Sequence, residues 1–106
     1  MELNAAQLKR AGFESARNSS FTVSAEGAAS PDVQLALTAL HTRPAPPGFE
    51  QFSLMFSGPA APLLPQGIYC FKHEQLGELP LFMVPVGKRS DGIQYEVCIS
   101  RATDDD

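Results

Sequence analysis

Beyond Phe49 the chain alternates apolar and polar residues with the two-residue period of a strand that buries one face. Phe52, Leu54 and Phe56 interleave with Ser53, Met55 and Ser57, and Gly58-Pro59 ends the run. Ile68 to His73 reads as the next strand, Glu74 to Gly77 as a tight connection, and Glu78 to Val86 as a long strand. Asp91-Gly92 marks a turn, after which Ile93, Tyr95, Val97 and Ile99 share one face of a last strand ending at Ser100. Upstream, Phe21, Val23 and Ala25 define a first strand and Val33, Leu35, Leu37 and Ala39 a second, over 33–41. A helix competes for that second segment, since Val33, Leu37 and Leu40 also fit a helical stripe. Pro31 before it and Pro44, Pro46 and Pro47 after it leave too little length for one. Asn4 as N-cap and Gly12 as left-handed terminus bracket a helix over 4–12, too short to stand alone and expected to dock over a barrel end or a sheet edge.

Six strands at short spacing, with no crossover helix between them, predict an all-β fold: a small antiparallel barrel or roll of about six strands with a short N-terminal helix. A two-sheet sandwich satisfies the same alternation. Residues 1–103 form one domain, with 49–100 as the main meander and the source of most of the core, and 104–106 as an acidic tail. Seven of the nine aromatic residues lie from Phe49 onward, and Phe52, Phe56, Phe82 and Tyr95 are expected to be buried. Pro80 and Pro85 lack the N–H a ladder needs, so their strand should be an edge or carry a bulge.

Length and charge narrow the function. With 106 residues, 43% of them hydrophobic, there is material for one core and none for a separate catalytic lobe. The net charge is -4, and Asp104, Asp105 and Asp106 carry much of it, so the body of the domain is close to neutral. Its adjacent basic pairs, Lys9-Arg10 and Lys88-Arg89, lie far apart, which argues against a nucleic-acid partner. Leu79 to Val86 is far shorter than a membrane span and contains two prolines, and the opening residues do not form a secretory signal, so a cytoplasmic location is expected. Cys70 and Cys98 then read as reduced small hydrophobes.

Candidate chemistry is thin. Cys70 and His73 are three residues apart on one strand, so they face opposite ways and cannot share a metal ion without a bulge. Most acidic residues sit at turns, no serine lies in a nucleophile elbow, and prolines between Gly58 and Gly67 remove the N–H groups a phosphate cradle requires. No catalytic, cofactor or metal residue is assigned and no enzyme activity is expected. A cleft in which Tyr69, His73 and Glu74 converge would reverse that.

Several pieces of the second half together carry a resemblance: Glu50-Gln51-Phe52-Ser53-Leu54-Met55-Phe56, Gly58-Pro59, Leu64-Pro65-Gln66-Gly67-Ile68-Tyr69, His73, Leu76-Gly77, Leu81-Phe82, Val84-Pro85-Val86-Gly87 and Tyr95-Glu96. The sequence resembles a small bacterial family of uncharacterised domains. That resemblance implies gene neighbourhoods with phage-tail-collar-like proteins, and hence an accessory or assembly role. The expected function is a non-catalytic protein-binding domain; the alternative is a barrel that binds a small apolar ligand. Pro46, Pro47, Leu63, Leu64 and Pro65 are the expected partner surface, because proline-stiffened loops lose little entropy on docking. Self-association through a sheet edge is the competing mode.

Overall fold

The computed structural model describes residues 10–25 and 32–102. Helix α1 (Arg10–Ser15) is followed by six strands: β1 (Ser20–Ala25), β2 (Val33–Arg43), β3 (Phe49–Gly58), β4 (Gly67–His73), β5 (Gly77–Arg89) and β6 (Gly92–Ala102). They close into one antiparallel barrel in the order β1-β2-β3-β6-β5-β4, with β4 pairing back onto β1. A sheet closed on itself buries one face of every strand, which is what the alternation demands.

The meander is shorter than 49–100. Within 49–100 β4, β5 and β6 follow one another in space, while β3 lies between β2 and β6 and continues the run β1-β2-β3. The connection from Gly58 to Gly67 must therefore pass two strands, and it does so across one end of the barrel. Gly58 and Gly92 are held there by close packing: a Cβ on Gly58 would collide with Leu35 Cδ2, and one on Gly92, whose φ is +157°, would collide with the Gly58 oxygen.

The interior is aromatic. Phe21 packs edge-on to Phe56 at 5.3 Å and Phe71 lies 5.1 Å from Phe56, with Leu35, Leu37, Leu54, Leu79 and Met83 fully buried around them. Phe52, Phe56 and Tyr95 are buried as expected; Phe82 is not, being 51% exposed. In the run Leu79-Pro80-Leu81-Phe82-Met83 the inward parity belongs to Leu79, Leu81 and Met83, which puts Phe82 outside. An apolar run with no polar punctuation does not announce its own phase.

The prolines of β5 sit where pairing permits them. The β5–β6 ladder starts at Val84, so Pro80 has a ladder partner only on the β4 side, and Pro85 adjoins the register shift between Pro85 and Gly87. β5 is thus a bulged strand inside a closed ring. A second shift, between Leu37 and Ala39, bends β2.

Residues 4–9 of the expected helix lie outside the described residues, as does the acidic tail at 104–106. The described helix runs through Gly12 to Ser15, and the left-handed residue that turns the chain into β1 is Asn18, at φ 69°. Asn tolerates that conformation because its short polar side chain bonds locally. Its N–H donates to Leu37 O at 2.7 Å, tying the turn to β2.

Candidate functional site

Three surface regions merit chemical scrutiny. The first is a cleft of about 530 Å³ lined by Ser15, Ala16, Ser19, Ser20, Thr22, Lys72, His73, Glu74 and Gln75. A serine beside a histidine suggests nucleophilic catalysis, since Ser19 Oγ lies 2.9 Å from His73 Nε2. The surrounding bonds decide otherwise. His73 Nδ1 accepts the backbone N–H groups of Gln75 (3.1 Å) and Leu76 (3.3 Å), so its lone pair is occupied and the ring proton belongs on Nε2. His73 therefore donates to Ser19 Oγ, whose own proton goes to Ala16 O. A general base must accept the serine proton; this imidazole points the opposite way. The ring is buried and packs 4.6 Å from Phe21. It clamps the turn before β1 to the turn after β4. Tyr69 is absent from this cleft, so Tyr69, His73 and Glu74 do not converge.

Tyr69 serves the opposite end of the barrel. Its hydroxyl donates to Pro65 O at 2.5 Å, and Tyr95 Oη accepts the Leu64 N–H at 3.1 Å. Burial and then the neighbouring Tyr95 raise the Tyr69 phenol above its ordinary pKa, which keeps the proton on the donor. Two core tyrosines thus pin the proline-rich loop over the barrel mouth. Beside it Ala60, Leu63, Pro85, Val86, Gly87, Lys88 and Ile93 line an open groove of about 340 Å³, with Leu63 58% and Val86 50% exposed.

The third region is the outer face of β4 and β5, where Ile68 (57% exposed) stands directly opposite Phe82.

The residues expected to form the partner surface separate. Leu63 and Pro65 are exposed on the pinned loop. Leu64 packs against the core, so it holds the loop down and offers a partner little. Pro46 and Pro47 are exposed in the β2–β3 connection, at the other end of β3 and about 30 Å away for a strand of that length. Val86, Ile68 and Phe82 went unrecognised in the sequence. Val86 lies in the β5 register shift, and the exposure of Ile68 and Phe82 follows from the parities of β4 and β5.

Neither cysteine has a metal-binding neighbourhood: among the described residues no group of three His, Cys, Asp or Glu side chains is placed to hold an ion. Cys98 is exposed and Cys70 half-buried, both unbridged. No helix among the described residues is long and apolar enough to cross a membrane.

Residues 8–99 match the family model described as a domain of unknown function (DUF6916), and the chain belongs to that family. No curated protein and no solved structure matches it.

Proposed function

For this member of the DUF6916 family we propose a non-catalytic protein-binding role, with the groove beside the pinned loop as the contact surface. The observation that carries it is that exposed Leu63, on a loop fixed by two tyrosine hydrogen bonds, shares one groove with exposed Val86 of β5. Apolar side chains on a rigid frame give up water on docking and lose little conformational entropy. Binding inside the barrel would instead require displacing the packed rings of Phe21, Phe56 and Phe71, and no observation favours it. A phage-tail-collar-like protein, the class implied by the family resemblance, is the first partner to try.

The test is affinity capture from the native host with wild-type protein and with the double variant Leu63→Ser, Val86→Ser. Both changes are on exposed side chains, so stability should move by less than about 0.5 kcal/mol each. Specific capture of a partner by the wild type and its loss in the variant supports the reading. A partner retained equally by both removes the groove from the account, and turnover of a small molecule by the purified protein removes the non-catalytic role.

A further inference from the structure

The cross-strand rows of the β4–β5 outer face are complementary to themselves. The rows are Ile68 opposite Phe82, Cys70 opposite Pro80 and Lys72 opposite Glu78. Consider a two-fold axis lying above this face, midway between the strands and parallel to them. Rotation about it exchanges β4 with β5 at the same height, so every residue meets its own cross-strand partner on the other copy. Ile68 then covers Phe82 of the second copy, Cys70 covers Pro80, and Lys72 meets Glu78, each contact occurring twice.

The chemistry agrees row by row. Ile68 and Phe82 leave more than half of their surfaces to solvent. Lys72 and Glu78 are both exposed and, although directly opposite, form no ion pair with each other. Thr22 and Ser24 of β1, the neighbours of Lys72 and Cys70, supply a half-buried polar margin along the β4 side, so the face runs from an apolar end at Ile68 and Phe82 to a charged end at Lys72 and Glu78. Closure of the ring places β5 between β4 and β6, which leaves face-to-face packing as the available mode.

We propose that a second copy of this chain docks on the β4–β5 face through that axis. Seven rows of β4–β5, flanked by four rows with β1, span at most about 24 by 14 Å, a small area against the roughly 800 Å² per partner of a standard interface. The dimer is therefore concentration-dependent. The proposal uses none of the residues that line the Leu63–Val86 groove and stands or falls separately from it.

Sedimentation velocity up to about 100 μM tests the proposal, with circular dichroism melting to verify that each variant folds. Wild type should show a reversible monomer–dimer equilibrium that Phe82→Lys weakens by about tenfold or more. Lys72→Glu and Glu78→Lys should each weaken it alone, because like charges then meet across the axis. An equimolar mixture of the two should associate again. One chain then brings a carboxylate at both positions and the other an ammonium group at both, so opposite charges meet in each of the two contacts. Charge repulsion within each chain is the same before and after mixing, so recovery reports the interface alone. A wild type that stays monomeric overturns the proposal, and so does a mixture no better than its components. Loss of the host partner by Leu63→Ser, Val86→Ser with dimerisation intact would leave this inference standing and speak only to the groove.

Discussion

The two ends of the barrel are closed by different physics. At one end α1 inserts Phe13, fully buried and 6.0 Å from Phe52, with Ala16 buried behind it. That plug is apolar and non-directional, and it is trimmed by ion pairs of Arg10 and Arg17 with Glu14 and by the Arg101–Glu50 pair at 2.8 Å. At the other end the cover is a loop of small residues and prolines with one inward leucine, and its position rests on two tyrosine hydrogen bonds. An apolar plug contributes free energy in proportion to buried area, whereas a hydrogen-bonded strap contributes about 1 kcal/mol per bond and mainly fixes geometry. The difference teaches where stability and fixed geometry reside: the helix end stabilises the barrel, and the loop end holds its backbone in place at little energetic gain.

Four variants sharpen that contrast. Phe13→Ala should be the most damaging, costing about 3 to 5 kcal/mol in urea unfolding, because it removes a fully buried ring with no replacement nearby. If the loss were under about 1 kcal/mol, the helix would be an ornament and the comparison would collapse. His73→Ala, which strips the partner from the Gln75 and Leu76 N–H groups and from Ser19 Oγ, should cost about 2 to 3 kcal/mol. Nitrogen chemical shifts of the wild-type imidazole should report the proton on Nε2. Tyr95→Phe should cost about 1 to 2 kcal/mol and raise amide exchange at Leu64 well before exchange rises in the barrel strands.

The smallest effect expected is alkaline. With the Tyr69 phenol raised in the folded state, the unfolded chain loses that proton first, at about pH 10. The folded state then holds more protons, so stability is complete below that pH and declines as pH rises towards the folded value. Tyr69→Phe should abolish the part of the alkaline slope that belongs to this group. An unchanged slope would mean that the loop end is not coupled to the phenol.

Sequence alone was enough for the strands, because burying one face of a sheet imposes a two-residue period that Phe52, Leu54 and Phe56 or Ile93, Tyr95, Val97 and Ile99 display without ambiguity. It was enough, too, for the separation of Cys70 from His73, which follows from strand parity. Where the period blurs, the sequence stops deciding. Leu79 to Met83 could face either way, and only pairing with β4 and closure of the ring turned Phe82 outward beside Ile68. Ring order was likewise beyond it, since alternation records a residue's face and says nothing of which strand lies next door. The donor direction between His73 and Ser19 depended on two backbone N–H groups from the following turn. Local periodicity is a property of one segment; neighbours, register and proton placement are properties of pairs, and pairs exist only once the barrel has closed.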